Sequence, residues 1–117
     1  MIVYRIEKNG IGPYWHTCVG NKLYAKISSH SGKIDRPGPT SDGIEKIPGH
    51  TYQEMYYGFN TEQKLKQWFR GTRSELRRNG FEMVTYIIND KYCSVGASGQ
   101  VGFIKSKARV MQTKSIP

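Results

Sequence analysis

An arginine sits inside an alternating apolar run near the start of the chain, IVYRIE over residues 2–7, and the run stops at a turn-like KNGIGPYW. A guanidinium is a planar fork of donors suited to phosphate or carboxylate, which makes Arg5 the first residue whose type points to chemistry. Strand side chains alternate, so Ile2, Tyr4 and Ile6 share one face while Val3, Arg5 and Glu7 share the other. Arg5 therefore faces either a pocket that holds an anion or an ion-pair partner, Glu7 or an acid on the next strand.

Three other groupings have chemical potential. Tyr52, Tyr56, Tyr57 and Phe59, in TYQEMYYGF, have rings that stack on bases or adenine when positive charge is near, and they are equally good sheet-packing residues. Lys66, Arg70, Arg73 and Arg77 recur at helical steps. If one helix runs through Gly71 they form a basic stripe, either a nucleic-acid contact or a solvated face. His30, Asp35, Asp42 and His50 fall in one irregular segment, where an acid–base pair competes with plain surface groups.

Several classes are excluded. The acids show no paired carboxylates, no Ser or Cys sits in a nucleophile setting, and no phosphate-cradling glycine loop opens a helix. The histidines His16, His30 and His50 repeat no zinc spacing, and HTC at 16–18 is a fragment of one; neither a metal nor a cofactor is expected. Cys18 and Cys93 stand outside any CxxC pair and read as free thiols of a reducing compartment.

The elements that must position these residues follow from periodicity and turn signals. Strands are expected at 2–7, 22–27 (KLYAKI), 51–59, 81–88 (FEMVTYII), 91–95 (KYCSV), and in GQVGFI and ARVMQT. Between them, SSHSGKIDRPGPTSDGIEKIPGH over 28–50 holds three prolines and four glycines and reads as a long loop, a candidate lid. TEQKLKQWFR at 61–70 puts Leu65, Trp68 and Phe69 on one face, with Asn60 or Thr61 as cap. Gly71 interrupts it, TRSE at 72–75 is a capping-box pattern that restarts it, Leu76 continues the apolar face, and Gly80 stops it. On 81–88, Phe81, Met83, Thr85 and Ile87 face away from Val84, Tyr86 and Ile88, and apolar residues on both faces mark a central strand.

The expected fold is a single α+β domain over 1–117, a twisted, mostly antiparallel sheet with one broken helix and a long proline- and glycine-rich loop. At 117 residues the chain can bury roughly two-thirds of its unfolded surface without staples. No stretch approaches the roughly 20 apolar residues of a membrane span, and the start lacks the pattern of a signal peptide. The expected setting is the cytoplasm. Eighteen Lys and Arg against nine Asp and Glu, a formal charge of +9, favour an anionic partner: nucleotide, nucleic acid or acidic protein surface.

The order VYRIE, GIGPY, a histidine, a proline-rich stretch with an aspartate, YGFNTEQKLKQWF and GQVGF resembles small proteins of unknown activity encoded by tailed phages and prophages. That resemblance implies an accessory protein acting in the host cell, a class in which interference with host enzymes or immunity is common. A more distant layout is similar to ADP-ribosyltransferases: an arginine in an opening YR strand, a hydroxyl residue before a helix, and a late strand. It implies Arg5 on a dinucleotide, Thr61 at the hydroxyl position, and Gln100 of GQVGF where the family has its catalytic glutamate. A neutral amide cannot stabilise oxocarbenium-like charge as a carboxylate does, so a transferase would need Glu82 or Glu54.

Taken together, the leading reading is a phage counter-defence or host-takeover protein that binds an anionic ligand, a nucleotide above all, at Arg5, Tyr14, His30, Tyr57, Thr61 and Gln100. Its partners would be that nucleotide and a host defence protein. The alternatives are an active ADP-ribosyltransferase modifying a host protein, and a DNA- or RNA-binding regulator using Lys66, Arg70, Arg73 and Arg77.

Overall fold

The computed structural model describes residues 1–15 and 36–117. The strand expected at 22–27, together with His16, Cys18, His30 and Asp35, lies outside the described residues.

The strands are β1 (Ile2–Glu7), β2 (Met55–Phe59), β3 (Glu82–Ile87), β4 (Cys93–Val95), β5 (Gln100–Ile104) and β6 (Arg109–Ser115). They form one sheet in the order β4-β5-β2-β1-β3-β6, antiparallel at every interface among the described residues. After β1 the chain reverses at Asn9 and Gly10, both left-handed (φ 53° and 79°), with Lys8 and Ile11 bridged across them, the pattern of a type I′ turn.

Two short helices follow β2: α1 (Glu62–Trp68) and α2 (Arg73–Arg78). Thr61 caps α1, its Oγ1 accepting from Lys64 N at 3.1 Å, as its position before TEQ leads one to expect. Gly71 adopts φ 84° and divides the helices. Thr72 sits before α2, but its hydroxyl donates back to Phe69 O at 3.0 Å instead of capping forward, so the TRSE capping box does not form. The apolar face is as expected. Leu65, Trp68, Phe69 and Leu76 pack with Ile6, Phe59, Phe81, Met83 and Ile116 on one side of the sheet.

The other face holds a second core of Val3, Val84, Tyr86, Ile88, Val101 and Phe103. The Tyr86 and Phe103 ring centroids lie 5.6 Å apart, although two strands separate β3 from β5. In a flat sheet three strand spacings would put them about 14 Å apart. The sheet is therefore curled, and the bend falls between β1 and β2, where Tyr4 opposite Phe59 is the one registered pair among the described residues. Gly58 permits the crossing: a Cβ there would stand 2.6 Å from Tyr4 O and 2.7 Å from Val3 Cγ1, and backbone cannot step aside.

The described part of the long loop, 36–50, is irregular, yet it is fastened to the protein. Ile44 and Ile47 are buried with Met55 and Ile104. Asp42, itself buried, accepts from Ser98 N at 2.9 Å and Ser98 Oγ at 2.6 Å. For these residues the lid expectation is corrected: turns without periodicity gave no sign of the two isoleucine anchors or the carboxylate clamp.

Candidate functional site

The site grows out of the divergence of β1 and β2. Beyond the Tyr4–Phe59 pair the strands part, and the Arg5 side chain occupies the gap. Its Nη1 donates to Tyr57 O at 2.8 Å and its Nε to Glu7 Oε2 at 2.7 Å. Arg5 thus has the ion-pair partner that strand alternation offered, and it also supplies a donor to backbone that the splayed neighbour strand does not reach.

Glu7 is 5% exposed, and its Oε2 collects further partners: Tyr86 OH donates at 2.7 Å and Lys105 Nζ lies at 3.2 Å. Burial pushes the carboxyl up, but the Tyr86 hydroxyl, the Arg5 guanidinium and the Lys105 ammonium outweigh it and hold the group below the usual carboxylate range. Burial and the same carboxylate drive the Tyr86 phenol well above its ordinary value. Lys105 Nζ also donates to Gly10 O at 2.9 Å. Both cations lie against the Tyr56 ring, with Arg5 Cζ 5.1 Å and Lys105 Nζ 4.9 Å from its centroid.

On the helix side of Arg5 is a cavity of about 490 Å³, whose wall includes Arg5, Tyr14, Tyr57, Phe59, Trp68 and Gln100. Tyr14 reaches it from the short 3-10 turn at Pro13–Trp15. Its hydroxyl accepts from Trp68 Nε1 at 2.8 Å, and burial raises its pKa against the opposing pull of Trp68 and Arg36. Burial likewise raises the Tyr57 phenol. Pro37 and Pro39 close one side, and Gln100 ties down the first of them, its Nε2 donating to Pro37 O at 3.2 Å and Asp42 Oδ2 at 3.4 Å.

The structure thus brings Arg5, Tyr14, Tyr57 and Gln100 together from three parts of the chain. Thr61 is not in the described wall; it caps α1. His30 lies outside the described residues. Phe59, one of the rings read as either stacking or packing, lies in the wall, and Gly12 and Trp68 are wall residues that sequence reasoning missed as such, since Trp68 carries the same apolar signal whether it fills a core or lines its edge. The basic set divides in two. Lys66 lies on α1 and Arg70 past its end, Nη1 donating to Gln67 O at 2.8 Å. On α2, Arg73 and Arg77 donate to Pro117 O and Ile116 O at 3.0 and 2.7 Å, so the stripe bends at Gly71 and its second half clasps the segment after β6.

Other expectations concern chemistry. Among the described residues no group of His, Cys, Asp and Glu could hold a metal, and no helix is long and apolar enough to cross a membrane. Cys93 is a free thiol, its pKa pushed up to about 11 by burial; Cys18 lies outside the described residues. Glu54 and Glu82, the acids a transferase would need, are absent from the described cavity wall. Glu54 instead accepts from Thr51 N at 2.8 Å and meets His50 Nδ1 at 3.1 Å.

Fold and site define an α+β protein with an aromatic-walled cavity beside Arg5 and no Asp or Glu among its described wall residues. The chain belongs to the family described as Bacteriophage T4 Y00F protein, whose model matches residues 1–117. It is thus a phage protein, of a family whose function is unknown. Comparison with curated proteins and with solved structures gives no match, and nothing found supports the ADP-ribosyltransferase layout.

Proposed function

We propose that this phage protein is a binding protein for a nucleotide, seated in the cavity beside Arg5, and that it acts in the infected cell's cytoplasm in counter-defence or host takeover. The observation that carries the reading is the convergence of Arg5, Tyr14, Tyr57 and Gln100 on one largely aromatic cavity of about 490 Å³, within the size range of small-ligand sites. Rings offer stacking surfaces for a base, and the Gln100 amide and Arg5 guanidinium supply polar contacts at its margin. The formal charge of +9 would draw an anion toward it. Sequestering a nucleotide signal is one route by which such a protein would blunt a host defence protein.

Calorimetry against AMP, GMP, CMP, UMP, NAD and ADP-ribose tests this. Tyr57→Leu is the informative variant, because it removes the ring and leaves the carbonyl that Arg5 binds. One of these ligands should bind the parent, and the variant should bind it roughly tenfold or more weakly, as loss of one stacking partner implies. No binding at millimolar concentration, or equal binding by Tyr57→Leu, would overturn the reading. NAD turnover by the purified protein would favour the transferase alternative.

A further inference from the structure

Among the described residues the Arg5 cavity adjoins two others. Across Arg5, Gly12 and Tyr57, which line both, it adjoins a cavity of about 410 Å³ whose outer wall is Ile11, Tyr52 and Tyr56. Across Phe59 and Trp68, again shared, it adjoins one of about 400 Å³ bordered by Lys64, Gln67, Arg70 and Ser98. From these shared walls we infer that the three cavities form one track for a short single-stranded nucleic acid of about three nucleotides. This rests on the nucleotide-binding reading and specifies its ligand class.

The two end compartments pair an aromatic face with positive charge and the middle one shares Arg5 with its neighbour, the combination that holds successive bases and phosphates of a single strand without reading sequence. In the outer compartment Tyr52 and Tyr56 are 53% and 39% exposed, a large aromatic surface to leave in water. Beneath Tyr56, Arg5 and Lys105 share the one carboxylate of Glu7, so that cluster keeps a net positive charge. The middle compartment offers Tyr14 and Tyr57. At the far end Trp68 and Lys64 line one cavity, and among the described residues no carboxylate pairs with Lys64. A mononucleotide would fill one compartment and leave the exposed tyrosines and Lys64 without a role. A duplex could not present unstacked bases to these rings.

The test is a length series of 5′-phosphorylated oligothymidylates, one to six residues, titrated by calorimetry into parent, Tyr52→Ala and Lys64→Gln proteins. Affinity should climb at least tenfold for each residue up to three and then level. Both variants should lose roughly fivefold or more for the trinucleotide and keep parental affinity for the mononucleotide. Trinucleotide affinity should fall with salt at a log–log slope of about −2, from three contacts on a single strand. Equal affinity for one and three residues, or variants that bind the trinucleotide as the parent does, would overturn the track and leave the mononucleotide site standing. If neither length binds, both readings fall. If a duplex of the same sequence competes as well as the single strand, the track is wrong and Lys66, Arg70, Arg73 and Arg77 become the interface to test.

Discussion

Replacing Arg5 is the perturbation with the most to reveal, because the ion pair and the gap between β1 and β2 both depend on it. Arg5→Ala strips one cation from Glu7 Oε2 and the donor from Tyr57 O. Breaking a buried pair by removing one partner costs about 3–5 kcal/mol. Tyr86 and Lys105 still hold the carboxylate, which argues for about 3 kcal/mol, near the lower end of that range. Urea unfolding of the parent, Arg5→Ala, Glu7→Gln and the double variant gives the coupling directly, and residues in one network should show about 0.5–3 kcal/mol of it. The pH dependence supplies a second readout. Glu7 titrates below its ordinary value near 4.5 in the folded protein, so the stability it contributes is present above that value and lost as pH falls through the folded pKa. With Arg5 gone the carboxyl rises toward the ordinary range, and the acid-side loss should begin at higher pH. Additive single variants together with an unchanged acid limb would refute the coupling.

Three further outcomes follow from the packing. Gly58→Ala should cost roughly 1–3 kcal/mol or more, the range for overpacking, measured as a lowered urea midpoint, because the new Cβ meets the Tyr4 carbonyl. Leu65→Ala, at a fully buried site under α1, should cost about 2–5 kcal/mol; a parental melting temperature would mean that the helix does not cover the core. Cys93, with its thiol pushed to about 11, should react with iodoacetamide at pH 8 far more slowly than an ordinary exposed cysteine.

Much of this was legible along the chain. The strand at 2–7, the apolar face of Leu65, Trp68, Phe69 and Leu76, and the two-faced strand at 82–87 rest on local periodicity, and local periodicity survives into the fold. Legible too was the choice facing Arg5, because Glu7 lies two residues away on the same face. The curl of the sheet was not legible, since Gly58 reads as a weak strand residue until Tyr4 and Val3 are known to press against it. Nor was the anchoring of 36–50: Ile44 and Ile47 obey no period, and Asp42 finds Ser98 only once the β4–β5 turn has been placed. The site was read in part for the same reason. Residue type pointed to Arg5 and the aromatics Tyr14 and Tyr57, whereas Gln100 and Thr61 were named by the ADP-ribosyltransferase resemblance, and Thr61 shows that a hydroxyl beside a helix is as well explained by the helix's own need for a cap.

The narrow join between β1 and β2 bears on the order in which the protein is made. One wing of the sheet, β2 with β5 and β4, pairs residues 55–104 among themselves, whereas β1 pairs chiefly with β3, some 80 residues later. Loop closure over such a span is slow relative to local pairing. On the ribosome β1 must wait for β3, and the core beneath it closes only when Ile116, buried against Ile6 and Phe81, has left the tunnel. Until then Val3, Arg5 and Glu7 have no neighbour at β3. The network around Glu7, which adds Tyr86 and Lys105 to the Arg5 pair within β1, therefore closes late, and the site comes into being with the fold as a whole and not ahead of it.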